Sequence, residues 1–151
     1  MTDALLVHAT AIAIEGNAIL LRGPPGAGKS DLALRLIDGG ARLVTDDQAE
    51  LRRADEHILV RAPAAIADLI EVRGVGILRV NAVAEAPLAL LVDLVPSAEV
   101  ERLPESRFEE VLGLAIRLIA LAAFEASAAA KLRLALRAFS VPPSPAIILR
   151  A

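Results

Sequence analysis

The chain has 151 residues, a length that suits one domain with a sizeable core and not two ordinary ones. Its formal net charge of −3 gives no general attraction to nucleic acid, and three Phe with no Trp or Tyr supply no platform for stacking single strands. Cys is absent and His occurs only twice, which excludes disulfides, thiolate chemistry and the usual zinc-ligand sets. The opening MTDALLVHATAIAIEG has no basic n-region and no cleavage site, so no signal peptide is expected. From Val7 to Arg22 two apolar runs flank Glu15-Gly16-Asn17, the pattern of a strand pair joined by a tight turn.

The second run, NAILLR, leads directly into RGPPGAGKSD, which fits G-x-x-x-x-G-K-[ST] without a mismatch. Gly23, Pro24, Pro25, Gly26, Ala27, Gly28, Lys29 and Ser30 therefore form a candidate phosphate-binding loop. Glycines let backbone N–H groups approach phosphate oxygens, Lys29 can reach the β- and γ-phosphates, and the Ser30 hydroxyl can sit on magnesium. KSDLALRLIDGG is expected to form a helix. It buries Leu32, Ala33, Leu36 and Ile37, exposes Asp31, Arg35 and Asp38, and stops at Gly39-Gly40. The positive end of that helix points at the same anion. Strand, glycine loop and helix together identify a nucleotide site.

Further along, ARLVTDDQAEL reads as a strand ending in acid, and RRADEHILVRAP as a hairpin turning near Ala54-Asp55-Glu56. DLIEVRGVGILRVN is strand-like on both sides of Gly74-x-Gly76, and LALLVDLVP is a strand. SAEVERLPESRFEE is expected to be a charged surface loop. VLGLAIRLIALAAFEASAAA is the most membrane-like stretch, but Arg117 and Glu125 interrupt it and neither remaining piece approaches the roughly 20 apolar residues of a span. Its 111–124 portion suits either core or an interface. A last helix is placed at Phe124 to Arg137, with Phe124, Ala128, Leu132 and Leu136 as its buried stripe. SVPPSPAIILRA is expected to be an irregular tail.

Strands outnumber helices, and the strict alternation of a doubly wound fold is missing. The expected fold is α/β, a β-rich P-loop domain with few helices, occupying 1–151 as one domain with its best-supported part at 7–140. The chain is expected to be soluble and cytoplasmic, where ATP is available, with no membrane and no nucleic-acid partner.

Phosphoryl transfer also needs a carboxylate for the metal and another that orients or deprotonates the acceptor. LALLVD, ending in Asp93, has the shape of a Walker B strand. RLVTDD offers Asp46 and Asp47 together, and alternation along a strand would point the two differently. Spacing alone leaves this contest open.

RGPPGAGKSDLALRLIDGGARLVTDD followed by LIEVRGVGILRV closely resembles the catalytic domain of bacterial HPr kinase/phosphorylase, which phosphorylates a serine of the phosphocarrier HPr in the phosphotransferase system. The resemblance covers roughly Val7 to Val80, including the His of VHATAIAIEG. It implies an HPr kinase/PEP carboxykinase-like fold with ATP and Mg2+ as cofactors. Lys29 and the Gly23–Ser30 backbone would hold phosphates, with Ser30 and Glu71 at the metal and Asp46 supporting the metal or orienting its neighbour. Asp47 would be the general base, His8 a positioning group, and Arg73 to Asn81 part of a catalytic segment. Arg102, in ERL, would steady charge on the transferring phosphate, and Asp93 is set aside.

The sequence departs from the family in several places. Pro24-Pro25 replaces small polar residues, and Asp31 stands where Glu is usual. Leu103 to Ala123 lacks the Pro-Gly-Arg-Asn type loop associated with dephosphorylation, so the resemblance implies the kinase and leaves the phosphorylase unsupported. The family's separate N-terminal domain is also missing from this chain, as in short alphaproteobacterial versions whose HPr serves a nitrogen-related phosphotransfer chain. Family members assemble as hexamers, so a homo-oligomer is expected. A small-molecule P-loop kinase and a non-catalytic ATP-binding regulator are the alternative readings.

Overall fold

The computed structural model describes residues 4–139, so the expected tail at 140–151 lies outside the described residues. The elements are β1 (Ala4–Val7), β2 (Thr10–Ile14), β3 (Asn17–Arg22), α1 (Lys29–Asp38), β4 (Arg42–Thr45), β5 (Ala49–Ala54) and β6 (His57–Arg61). They continue as β7 (Leu69–Val72), β8 (Gly76–Arg79), β9 (Glu85–Leu94), β10 (Arg107–Val111), β11 (Leu114–Leu121) and α2 (Ala128–Phe139). Two 3-10 turns lie at Ala64–Ile66 and Ser97–Glu99. The fold is a strand-rich α/β arrangement.

β9 is its spine. The start of β9 pairs antiparallel with β6, while its second half lies between β3 and β11, parallel to both. The order β1-β5-β6-β9-β3-β2-β4 follows, with β11 and then β10 attached beside β9. β7 and β8 form a separate hairpin. A strand of alternating residues can serve two cores at once, and β9 does so. Leu90, Val92 and Leu94 join Leu32, Leu36, Leu132 and Leu136 beneath the two helices, whereas Leu91 joins Leu20, Leu51, Val60 and Leu118 in a second core. Leu88, of the same parity as Leu90, also joins the second core because the register with β3 shifts between them.

Helix α1 begins and ends where the sequence predicts. Leu32, Ala33 and Leu36 are buried, Asp31 and Arg35 pair at 2.9 Å, and the Gly39 N–H closes the last turn onto the Arg35 carbonyl. The strand pairs at 10–22, 49–61 and 69–79 also form as expected. Within the 111–124 stretch Ile116, Leu118 and Leu121 of β11 are buried and belong to the core, while Phe124 is exposed. No helix among the described residues is long and apolar enough to cross a membrane.

Two expectations are corrected. Arg107 to Glu110 are strand rather than loop, since β10 pairs along β11 and Glu109 is drawn to Arg22. The last helix starts at Ala128 rather than Phe124. Arg35 of α1 donates to the carbonyl oxygens of Ala123 and Glu125, which draws residues 122–127 across the end of α1 before the chain can coil. Ala128, Leu132 and Leu136 are the buried stripe, while Phe124 is 69% exposed.

Candidate active site

The loop from Gly23 to Gly28 joins the end of β3 to the start of α1. Gly28 has φ 100°, and a Cβ there would lie 2.7 Å from Ala123 Cβ and 3.0 Å from Phe124 Cζ, so both conformation and space require glycine. A Cβ on Gly23 would meet Ala27 Cβ at 2.8 Å. Lys29, nearly buried, donates from Nζ to the Gly23 carbonyl at 2.6 Å and the Pro24 carbonyl at 3.3 Å. Its ammonium thus sits inside the curve of the loop, where an anion would meet positive charge and the N-terminus of α1 together. Pro25, Gly26, Gly28, Lys29 and Ser30 face a polar cavity of about 520 Å3, whereas Pro24 and Ala27 line an adjoining apolar one.

Asp46 and Asp47 lie just past β4, and the bend there separates their carboxylates. Asp47 has φ 70°, a left-handed conformation that Asp tolerates better than most residues. The divergence therefore comes from this bend and not from strand alternation. Asp46, 8% exposed, accepts from Ser30 Oγ at 2.8 Å and Thr10 Oγ1 at 3.1 Å through Oδ1. Its Oδ2 accepts the Glu71 backbone N–H at 3.1 Å. Three donors fix one carboxylate against the first turn of α1. Asp47 turns outward, where its Oδ1 is 2.7 Å from His8 Nε2 and both side chains are 60% exposed. Thr10 ties the two acids together, since its hydroxyl donates to Asp46 and accepts the Asp47 N–H at 3.1 Å.

His8, Lys29, Ser30, Asp47, Glu71 and Arg73 line the polar cavity together, although the sequence supplies them from β-turn, loop, helix and hairpin. Among the described residues, no three His, Asp or Glu side chains form a set able to hold a metal ion by themselves. Ser30 and Asp46 nonetheless present hard oxygens 2.8 Å apart, and Ser30 and Glu71 both line the polar cavity, from which the buried Asp46 is set back. Oxygen donors few in number and beside a candidate phosphate-binding loop would suit magnesium, an ion that keeps water and takes phosphate oxygens to complete its shell.

Asp93 has a different environment. It remains within β9, opposite Arg22 of β3 and Ala120 of β11. Its neighbours Val92 and Leu94 point toward the helices, so Asp93 points to the other face and accepts from Arg22 Nε at 2.8 Å. Glu109 takes the remaining guanidinium nitrogens at 2.6 and 2.9 Å. The Glu109 hydrogen bond foremost, with Asp93 assisting against the cost of burial, raises the Arg22 pKa above its ordinary value, and the same bond lowers that of Glu109.

The family model for the HPr Serine kinase C-terminal domain matches residues 1–132. The chain belongs to the HPr serine kinase C-terminal domain family. HPr kinase/phosphorylase from Peptoclostridium acidaminophilum is 39% identical over 112 residues, which is 72% of this chain and 36% of that protein. The Listeria monocytogenes (serotype 4a, strain HCC23) HPr kinase/phosphorylase is 41% identical over 81 residues, 53% of this chain and 26% of its relative. This chain thus spans about a third or less of the length of these relatives. Among solved structures, the HPr(Ser) kinase/phosphatase from Coxiella burnetii superposes with a TM-score of 0.79 at 25% identity, covering 88% of this chain and 94% of that one.

In this HPr kinase-type domain His8, Lys29, Ser30, Asp47 and Glu71 meet at the polar cavity and Asp46 reaches it only through its bond to Ser30, whereas Arg102 lies apart. It is exposed after the Ser97–Glu99 turn and does not line the cavity. Sequence reading also missed two residues. Thr10 holds both acids and is fully buried; a hydroxyl interrupting an apolar strand two residues after His8 was the available signal. Phe124 stands against Gly28, and no local pattern distinguishes it from a helix position.

Proposed function

We propose that the chain is an ATP-dependent protein-serine kinase acting on HPr, built as one catalytic domain over 1–151. The observation that carries the reading is the run of contacts Ser30–Asp46–Thr10–Asp47–His8, which binds the phosphate loop rigidly to an exposed acid. The Gly23–Ser30 loop and Lys29 hold the ATP phosphates. Ser30, Asp46 and Glu71 would hold Mg2+, which neutralises phosphate charge when bound.

Asp47 lies at the mouth of the cavity, open to a hydroxyl delivered by a protein surface. A serine hydroxyl stays protonated at neutral pH, so a carboxylate must accept its proton as the oxygen attacks phosphorus. His8 orients the Asp47 carboxylate from one side and Thr10 fixes its backbone from the other. The left-handed φ of Asp47 aims it away from Asp46, so one acid serves the metal and the other the acceptor. Arg102, exposed and outside the cavity, would meet the acceptor phosphate only with HPr docked. The enzyme would work in the cytoplasm as a homo-oligomer, a hexamer by family likeness, without membrane or nucleic-acid partners.

The test is incubation with labelled ATP, magnesium and HPr. Label on a serine of HPr is the expected result. Binding of ATP with no transfer, or label in a small molecule instead, contradicts it.

A further inference from the structure

The loop has two cavities, and the phosphate reading uses only the polar one. The second, about 490 Å3, shares Pro25, Gly26 and Phe124 with the first and is walled by Pro24, Leu94, Val95, Pro96 and Ala122. That volume lies within the roughly 300–1,000 Å3 of ordinary ligand sites. Among the described residues, Ser97 and Glu125 supply its only polar side chains, and they bond to each other at 2.8 Å. The same bond, with Lys131 at 3.1 Å, keeps the Glu125 carboxyl below the ordinary carboxylate range.

Both walls are held in place. The Val95 N–H donates to the Leu121 carbonyl at 2.9 Å, and Arg35 fixes the carbonyls of Ala123 and Glu125. Phe124 stands at the boundary between the cavities with its ring edge against Gly28, yet it is 69% exposed. An aromatic ring held at the mouth of an apolar cavity, beside a phosphate-binding loop, is suited to cover a flat heteroaromatic ring.

We propose that the apolar cavity takes the purine base of the bound nucleotide, with Phe124 stacked on the base. This rests on the nucleotide reading of the loop. A nucleotide anchored by Lys29 and Ser30 in the polar cavity would pass its base across Pro25-Gly26 into the apolar one. Since no lining side chain among the described residues is free to read the edge of a base, adenine and guanine should be held alike.

The experiment measures the affinity of the full chain for ATP, GTP and inorganic triphosphate, before and after Phe124→Ala and Phe124→Trp. Phe124 is exposed and outside the helices, and thermal melts by circular dichroism check that both variants fold. Phe124→Ala should weaken ATP and GTP about tenfold, the usual worth of one stacked base, and leave triphosphate unchanged. Phe124→Trp adds the only tryptophan to a chain with none. Its fluorescence should be quenched by ATP and GTP but not by triphosphate. Equal weakening of all three ligands by Phe124→Ala, unchanged ATP affinity, or a hundredfold preference between ATP and GTP would overturn the proposal. If the unaltered chain binds triphosphate as tightly as ATP, the base site fails while the phosphate loop stands. If it binds neither, the nucleotide reading itself fails.

Discussion

β4 and β9 both run parallel to β3 toward the Gly23–Gly28 loop, and both bring acid to that end, yet the acids have opposite surroundings. Asp93 is still paired on both sides within β9, so strand parity determines its face and sends it to Arg22. Asp46 lies one residue past the end of β4, where pairing no longer constrains it, and the chain bends it to Ser30. An acid at the end of a strand serves the loop only if the ladder releases it. That condition depends on where pairing stops, which the apolar run LALLVD does not reveal.

Lys29→Ala attacks what both strands converge on and should have the largest effect. ATP binding should fall below detection while the thermal unfolding curve stays cooperative, because in the proposed function the ammonium answers phosphate charge. Wild-type turnover in a folded Lys29→Ala protein would remove the loop from the reaction.

Thr10→Val breaks the β4 side of the comparison without touching an acid. It leaves the buried Asp46 carboxylate short of one donor and the part-buried Asp47 N–H without its acceptor. Loss of about 1–3 kcal/mol of stability is expected, read by denaturant unfolding. Transfer should fall about tenfold, in kcat more than in KM for ATP, and Thr10→Ser should restore most of it.

The β9 side should be structural only. At Glu109 the hydrogen bond from Arg22 lowers the folded pKa below the unfolded one. Its stabilisation is therefore complete above the ordinary carboxylate range and is lost as pH falls through the lowered value. Glu109→Gln should flatten that acid-side loss by less than about 1 kcal/mol, given the exposure of the pair, and leave transfer at neutral pH unchanged. A shift in the transfer rate would show that the Arg22 cluster reaches the site.

The sequence makes the local parts of this molecule readable. The loop, α1 and the hairpins rest on glycines and on apolar spacing within about ten residues, and these form where expected. Parts that depend on distant partners are less readable. β10 is charged on its own and is a strand only because β11 pairs with it. Phe124 falls on the stripe that continues through Ala128, Leu132 and Leu136, and only the grip of Arg35 on residues 123 and 125 keeps it out of α2. Asp46 and Asp47 are visible as a pair, but their different surroundings follow from the bend and from Thr10, 36 residues from Asp46.

The most direct test sets Asp47→Asn beside Asp93→Asn, with ATP titration and phosphotransfer to HPr measured on the same preparations. Asp47→Asn keeps the size of the side chain and removes its charge. ATP affinity should stay within a few-fold of the unaltered chain, while transfer falls by roughly 10²–10⁴, the usual worth of a general base. Asp93→Asn should retain substantial transfer. Loss of ATP binding in Asp47→Asn would assign that acid to the metal, and a raised magnesium requirement in Asp93→Asn with normal transfer in Asp47→Asn would make β9, not the end of β4, the catalytic strand.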